Sequence, residues 1–251
     1  MKKTKKIILI TGSSNGIGAG IAKHFGKLDY SVVVTYNQNK KDGEKVVDDI
    51  EKSGAKTLLL QLDVKDEESV GKALTSVEKE FGKLDVLVNN AAVDFATPFE
   101  ECSFDDWREI TRTKIDGNFL CTKYAIPLLK KSDNPNIIII MSSLYEKVDP
   151  DDPAYCVGTA GTVAYLKCAA LALAKYKIRA NGIGPGETKT NNRYWRENGT
   201  EELWKEIESK NPFRRLTTPE DVAIATQMIV EDKTKFLNGN IIYVNGGGHL
   251  K

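Results

Sequence analysis

The segment from Thr11 to Gly18 has the residue types and the spacing of a phosphate-binding loop. The apolar run Ile7–Ile10 leads into Thr11-Gly12-Ser13-Ser14-Asn15-Gly16-Ile17-Gly18, and a helical pattern follows directly. Gly12 permits a tight turn, Gly16 lets the backbone approach a pyrophosphate, and Gly18 lets the helix pack close to a sheet. The helix N-terminus then directs unpaired N–H groups at the phosphates. The segment therefore predicts a dinucleotide site with contacts from Gly12, Ser14, Asn15, Gly16, Ile17 and Gly18.

The end of the second apolar run indicates which dinucleotide is bound. An acidic residue at this point would bind the adenosine ribose hydroxyls of NAD. The sequence instead reads Thr35-Tyr36-Asn37-Gln38-Asn39-Lys40, which contains no carboxylate. Because a neutral, partly basic pocket tolerates a 2′-phosphate, NADP(H) is favoured over NAD(H), with Tyr36 and Asn37 as contacts. Asn15 in the glycine loop, where many NADP-binding proteins place arginine, leaves NAD(H) as the alternative.

The elements that must position these residues are strands and helices that alternate along the whole chain. The strand-length runs are continuously apolar, which is typical of parallel strands buried on both faces. Such alternation predicts an α/β fold: a doubly wound, parallel, seven-stranded sheet (a Rossmann fold) in a single domain over residues 1–251. A stretch at about 187–213 is predicted to be a lid over the ligand. The predicted strands are Ile7–Thr11, Ser31–Tyr36, Lys56–Leu62, Leu84–Asn90, Asn136–Ser142, Ile178–Gly184 and Asn240–Val244; the predicted helices are Gly16–Leu28, Lys41–Ser53, Asp66–Phe81, Phe104–Lys130, Pro153–Tyr176 and Pro219–Glu231.

Motifs along almost the whole chain resemble those of the short-chain dehydrogenase/reductase family, and in particular its 3-oxoacyl-carrier-protein reductases. They are the spacing Gly-x-x-x-Gly-x-Gly, Leu62-Asp63-Val64, Val88-Asn89-Asn90-Ala91-Ala92, Met141-Ser142-Ser143 and Gly184-Pro185-Gly186. The resemblance implies that Asp63 and Val64 lie at the adenine and that Pro185, Gly186 and Thr188 meet the nicotinamide. It also places Asn90 and Ala91 at the cofactor, although Ala92 replaces the family's final glycine.

The catalytic pattern that the resemblance implies is broken at two positions. The family uses asparagine, serine, tyrosine and lysine; Ser143 and Tyr155 match the serine and the tyrosine. The lysine should stand four residues after the tyrosine, one helical turn on, but that residue is Thr159, which is then expected to face the cofactor. The asparagine position is occupied by Lys114.

The two changes suggest an exchange of position. An unassisted tyrosine titrates near 10, and a nearby cation favours its ionised form. Our hypothesis is that Lys114 extends into the space that Thr159 leaves open and supplies the missing charge to Tyr155. In the alternative, Lys114 merely fills its own site, and redox activity is lost or much reduced.

The predicted function is NADP(H)-dependent oxidoreduction of a small alcohol or carbonyl substrate. In that mechanism Tyr155 gives or takes the proton, Ser143 polarises the carbonyl oxygen and Lys114 is the cation. One alternative is a redox-silent, cofactor-binding regulator or partner subunit. Another is a non-redox lyase or isomerase that uses Tyr145, Tyr155 or Ser143 as an acid or base. The acidic residues Asp149, Asp151 and Asp152 near the expected rim either disfavour anionic substrates or are simply solvated.

Composition limits the partners. A formal net charge of +1 argues against nucleic acid, and two histidines far apart argue against a metal site. No apolar stretch approaches the roughly 20 residues of a membrane span, and the four cysteines form no Cys-x-x-Cys pair, so a cytoplasmic protein is predicted. The family resemblance implies that the helix Pro153–Tyr176 and the Lys114 helix meet across a subunit interface, in a homodimer or homotetramer.

Overall fold

The computed structural model describes residues 5–190 and 199–250, and over these residues seven strands form one parallel sheet. The sheet order is β3-β2-β1-β4-β5-β6-β7. Strands are added on one side of β1 up to β3 and on its other side from β4 onward, and this switch opens a crevice at the carboxyl ends of β1 and β4. The predicted doubly wound α/β fold is confirmed, and each predicted strand end lies within two residues of the observed one. The strands β1 to β7 are Ile7–Ile10, Ser31–Tyr36, Thr57–Gln61, Val86–Asn89, Asn136–Ile140, Arg179–Pro185 and Ile241–Val244.

Helices cover both faces of this sheet. The described helices α1 to α7 are Gly16–Lys27, Lys40–Glu51, Glu67–Phe81, Phe104–Leu129, Pro153–Leu173, Glu201–Lys210 and Pro219–Val230. Helix α6, Glu201–Lys210, was not expected, because its charge-rich sequence offers few apolar residues to mark a helical face. Its signals are the Thr200 hydroxyl, which accepts a hydrogen bond from the Leu203 N–H, and Trp204, its one buried side chain.

The lid predicted at about 187–213 therefore contains a helix. Residues 191–198, with Trp195, lie outside the described part of the chain, and the covering role of this segment stays a prediction.

The two faces of the sheet build two separate cores, which explains the continuous apolar runs. Ile7 and Leu9 face the core under α3, α4 and α5, whereas Ile8 and Ile10 face the core under α1, α2 and α7. A strand buried on both faces needs apolar residues at every position, because no face meets water. This packing fixes β1 rigidly beneath the glycine loop that follows it.

Helices α4 and α5 pack side by side and carry two of the three catalytic candidates that the sequence singled out, Lys114 and Tyr155. By length and apolar composition alone, one described segment, Pro153–Tyr176, would be able to cross a membrane, but half of it is buried within the fold. Burial of that kind is what the core helix of a globular domain shows. The small and apolar residues of α5 let it approach α4 closely.

Candidate active site

The glycine loop is held by its own backbone geometry and by Asn90. Gly12 and Gly16 have φ angles of +63° and +56°, the left-handed region that glycine adopts without strain. A Cβ on Gly18 would lie 2.6 Å from the side-chain nitrogen of Asn90. That nitrogen donates hydrogen bonds to the carbonyl oxygens of Thr11 at 2.9 Å and Gly12 at 3.1 Å. The predicted role of Gly18 in close packing is confirmed, and Asn90 fixes the loop from β4.

A cleft of about 560 Å³ opens at the carboxyl ends of the strands, from the end of β2 to Tyr155. Its walls fit a dinucleotide, because Gly12 and Gly16 leave room for a pyrophosphate and the N-terminus of α1 offers it N–H donors. Ser143 and Tyr155 line the far end. Thirteen of the predicted cofactor residues line this cleft: Gly12, Ser14, Asn15, Gly16, Ile17, Asn37, Asp63, Val64, Asn90, Ala91, Pro185, Gly186 and Thr188.

Three predicted cofactor residues do not form part of the cleft surface. Gly18 faces Asn90, and the Tyr36 ring packs against the position of Gly43, with Cδ1 3.5 Å from where a Cβ would stand. Thr159 is fully buried on α5, and its hydroxyl has no hydrogen-bond partner among the described residues. A direct contact of these three with a cofactor therefore stays a prediction.

The end of β2 presents amide side chains to the cleft. Asn37, Gln38 and Asn39 are exposed and line it. The first carboxylate after β2, that of Asp42, accepts a hydrogen bond from Asn39 and forms an ion pair with Lys45 at 3.2 Å. Among the described residues, the end of β2 therefore presents no carboxylate to the cleft of the kind that would favour ribose hydroxyls over a phosphate.

Lys114 reaches the catalytic tyrosine. Its side chain is 4% exposed, and its Nζ lies 3.5 Å from the centroid of the Tyr155 ring. The stem crosses Gly158, where a Cβ would lie only 2.9 Å from the Lys114 Cδ. Lys114 thus runs from the asparagine position of α4 to the tyrosine of α5, beside Thr159. Its catalytic role stays a prediction, but the approach to Tyr155 that the exchange requires is present.

Comparison with known proteins decides the family. Residues 12–249 match the family model described as Enoyl-(Acyl carrier protein) reductase. The chain belongs to the short-chain dehydrogenase/reductase family. It is 30% identical to the 3-oxoacyl-[acyl-carrier-protein] reductase FabG of Staphylococcus aureus (strain Mu50 / ATCC 700699) over 250 residues, 100% of both chains. It is also 30% identical to Glucose 1-dehydrogenase 2 of Bacillus subtilis (strain 168) over 246 residues, 97% of this chain and 95% of the other.

Two solved structures share the fold of this short-chain dehydrogenase/reductase. The angucycline C-6 ketoreductase LanV with bound NADP superposes with a TM-score of 0.90 at 23% identity, covering 98% of this chain and 96% of that chain. The reductase LugOII superposes with a TM-score of 0.89 at 24% identity, covering 99% of this chain and 100% of the other. The family resemblance seen in the motifs is confirmed: the chain is a FabG-like short-chain oxidoreductase.

The electrostatics around Tyr155 differ from the sequence-based expectation. Burial, followed by the negative charges of Asp94, Asp152 and Glu187, raises the pKa of Tyr155 above its ordinary value. The expected lowering by Lys114 is absent, because carboxylates dominate the field at the phenol while the ammonium lies over the ring face. In this short-chain oxidoreductase the phenol is therefore protonated at neutral pH.

The Lys114 ammonium loses its proton at a lower pH than the Tyr155 phenol does. Burial lowers the pKa of its ammonium to about 8, and the negative charges of Asp94 and Asp152 limit the fall. A lysine in this state is a cation at neutral pH and can release a proton at little cost. The lysine that the family places four residues after the tyrosine is absent, because that residue is Thr159 here.

Two carboxyl groups beside Lys114 face each other. Asp152 ends the loop before α5 and accepts a hydrogen bond from the Tyr155 N–H at 3.3 Å. Its carboxyl lies within hydrogen-bonding reach of Asp94, and burial raises the pKa of Asp94. Burial and the charge of Asp94 raise the pKa of Asp152 to about 7. The pair therefore keeps a proton to a higher pH than two separate carboxyl groups would.

The sequence did not single out Asp94 and Glu187, although both line the cleft. Each follows a motif that ends at the carboxyl edge of the sheet, Asn89-Asn90-Ala91 in one case and Gly184-Pro185-Gly186 in the other. That position was the available signal. Of the three rim acids, Asp149 and Asp152 line the cleft, whereas Asp151 is exposed and does not.

The serine and the second tyrosine candidate lie after β5. Ser143 begins a short 3₁₀ turn, and both it and Ser142 line the cleft. The Tyr145 hydroxyl bonds the Tyr243 hydroxyl, which donates to Glu146 at 2.9 Å. Tyr145 is not among the described residues that line the cleft, so its geometry favours a structural role over that of an acid.

Proposed function

We propose that this chain reduces the carbonyl group of a small molecule, with NADP(H) as the cofactor. The observation that carries the proposal is the Lys114 ammonium, 3.5 Å from the Tyr155 ring centroid at the end of a cleft that fits a dinucleotide. A redox-silent protein would have no need of a buried cation at this phenol. Burying an ammonium costs free energy, so its position beside this phenol favours a role in stabilising the charge of the transition state.

Tyr155, Ser143 and Lys114 each have a separate role in the proposed carbonyl reduction. When bound, the nicotinamide supplies the hydride that the carbonyl carbon gains. Tyr155 gives its phenolic proton to the carbonyl oxygen, which becomes the hydroxyl of the product. Ser143 donates a hydrogen bond to the same oxygen, and the Lys114 ammonium stabilises the negative charge that develops there. Lys114 then returns a proton to Tyr155 and takes one up from solvent, so that both side chains regain their starting states. The raised pKa of Tyr155 favours this direction, because alcohol oxidation would need the phenolate as a base.

Absorbance of the reduced nicotinamide, followed with a panel of ketones and aldehydes, tests the proposal. We expect NADPH to be consumed with at least one carbonyl compound. Cofactor binding without turnover of any compound would favour the redox-silent regulator or partner subunit. Substrate conversion with no change in cofactor absorbance would favour the lyase or isomerase.

The preference for NADP(H) depends on the amides at the end of β2. Replacing Asn37 by aspartate places a carboxylate where a 2′-phosphate would lie, and we expect the NADPH-over-NADH ratio of kcat/KM to fall roughly tenfold to a hundredfold. The kinetic constants for both cofactors measure this ratio. Glu44→Gln, an exposed change on α2, is the matched control and should leave it unaltered. An Asn37→Asp variant with an unaltered ratio would contradict the assignment.

The pH dependence of reduction should follow Lys114. Because the pKa of its ammonium is lowered to about 8, the cation is present below that pH and is lost as the pH rises through it. The rate of carbonyl reduction at saturating substrate is therefore expected to decline above about pH 8. A pH profile of kcat measures the decline, and a Lys114→Met variant should lack it. The assignment is wrong if the profile of the unaltered protein stays level well past this range.

We also propose a homodimer or homotetramer formed through α4 and α5. Large apolar side chains are exposed on both helices: Phe119 at 51% on α4, and Val157 at 46% and Leu171 at 81% on α5. Exposed apolar surface of this kind is typical of an interface. Sedimentation equilibrium of the intact chain measures its mass in solution.

A further inference from the structure

Four carboxyl groups line the substrate end of the cleft beside Tyr155. Asp94, Asp149, Asp152 and Glu187, which we call the carboxylate wall, come from three separate segments: the β4–α4 connection, the β5–α5 connection and the chain after β6. Residues far apart in the sequence thus converge on one face of the cleft.

No cation of the described chain neutralises this wall. Among the described residues that line the cleft, Lys65 is the one basic side chain, and it pairs with Glu109 at the adenine end. The Lys114 ammonium attracts Asp94 and Asp152, but it is a single charge. Four carboxyl groups therefore stand against that one ammonium.

The carboxylates also act on one another. Enclosure in the cleft, and then the charges of Asp94 and Asp149, raise the pKa of Glu187. Like charges this close are unfavourable without a ligand, so a cationic ligand would relieve the repulsion. Binding of a positively charged group to the carboxylate wall is therefore expected to be favourable.

Lys114 supplies an independent indication of a ligand. Its side chain is 96% hidden from solvent, being 4% exposed, and no described residue accepts a hydrogen bond from its ammonium. A buried ammonium has three N–H donors that need acceptors. Its Nζ lies 3.5 Å from the Tyr155 ring centroid, so an oxygen atom bound at the Tyr155 hydroxyl would lie in the field of this ammonium. The cleft therefore offers donors for an oxygen at one point and acceptors for a cation at another.

We propose that the substrate is an amino-substituted carbonyl compound, whose protonated amine binds the carboxylate wall while its carbonyl oxygen lies at Tyr155 and Lys114. This inference rests on the proposed function and names its substrate class. Charge-assisted hydrogen bonds between an ammonium and carboxylates provide both affinity and orientation. A substrate with a carboxylate in place of the amine is repelled by the wall.

Three matched ketones test the substrate class with NADPH: cyclohexanone, 4-aminocyclohexanone and 4-oxocyclohexanecarboxylate. We expect kcat/KM for the amino ketone to exceed that for cyclohexanone roughly tenfold and that for the carboxylate roughly a hundredfold. Added salt should reduce both ratios, because it screens the attraction. Equal values for the three ketones, or a preference for the carboxylate, would overturn the inference and leave the reductase function intact.

Binding of compounds that cannot be reduced separates the inference from the proposed function. Cyclohexylamine should raise the Tm of the NADPH-bound protein, whereas cyclohexanecarboxylate should not. If no ketone is reduced but cyclohexylamine still stabilises the protein, the reductase function is wrong and the cation site is supported. If cyclohexylamine gives no shift, the cation site is refuted whether or not ketones are reduced.

Variants of the wall locate the effect. Glu187→Gln and Asp149→Asn each remove one carboxyl group of the wall with little change of shape, and each should lower the amino-ketone preference at least about fivefold. Asp151→Asn, an exposed change outside the cleft, is the control and should keep the preference. Cofactor binding and Tm show whether each variant is folded, and either folded variant suffices. Full preference in both wall variants would overturn the inference.

Discussion

Replacing Lys114 by methionine is expected to lower kcat for carbonyl reduction roughly a hundredfold to a thousandfold. Methionine fills nearly the same apolar volume but removes the ammonium, whose Nζ lies 3.5 Å from the Tyr155 ring centroid. The charge that develops on the carbonyl oxygen then has no cation beside it. Steady-state kinetics with a ketone that the unaltered protein reduces measure the loss. Lys123→Met is the matched control, since Lys123 is an exposed residue of the same helix and pairs with Glu67.

A double variant tests whether the lysine has changed position. Lys114→Asn with Thr159→Lys restores the arrangement implied by the family. Its kcat should be at least about tenfold higher than that of Lys114→Asn alone. Thr159→Lys alone should impair the protein, because position 159 is fully buried and the Lys114 stem already crosses the neighbouring Gly158. If the double variant is folded and binds the cofactor but recovers no activity, the exchange of position is contradicted. Full activity of Lys114→Met would contradict any role for the cation.

Replacing Tyr155 by phenylalanine is expected to lower kcat at least roughly a thousandfold while the Kd for NADPH stays within about twofold. Phenylalanine keeps the ring face on which the Lys114 ammonium lies, so the change removes the proton donor and little else. Single-turnover measurements at saturating cofactor, with a separate binding titration, distinguish the two quantities.

Tyr145→Phe is the control for this change, because the Tyr145 hydroxyl bonds Tyr243 and does not line the described cleft. It should retain most of the activity. The reverse result, in which Tyr145→Phe is inactive and Tyr155→Phe is active, would show that Tyr155 is not the acid and would favour the lyase or isomerase.

The fold was predictable because its signals are local and repeated. Runs such as Ile137–Ile140 are apolar at every position, as strands buried on both faces must be. Helix α6 escaped prediction because one buried tryptophan, Trp204, anchors an otherwise charged segment. The glycine loop was predictable for the same reason as the strands: its spacing directly encodes a turn, a close approach and a helix start.

The site was predictable only in part. The positions of Ser143, Tyr155 and Lys114 followed from family motifs, and the approach of Lys114 to Tyr155 followed from the reach of a lysine stem. The raised pKa of Tyr155 could not be foreseen, since it depends on burial and on Asp94 and Glu187, which lie in loops. Loop residues converge through tertiary packing that spacing along the chain does not record.

The contact between the Lys114 stem and Gly158 ties the residue at position 158 to the lysine on the neighbouring helix. A methyl group at position 158 would lie 2.9 Å from the Lys114 Cδ, so alanine there would require the lysine stem to shift. The present path of Lys114 to Tyr155 therefore depends on a residue without a side chain, and a substitution of Gly158 would act on the tyrosine through the lysine rather than directly.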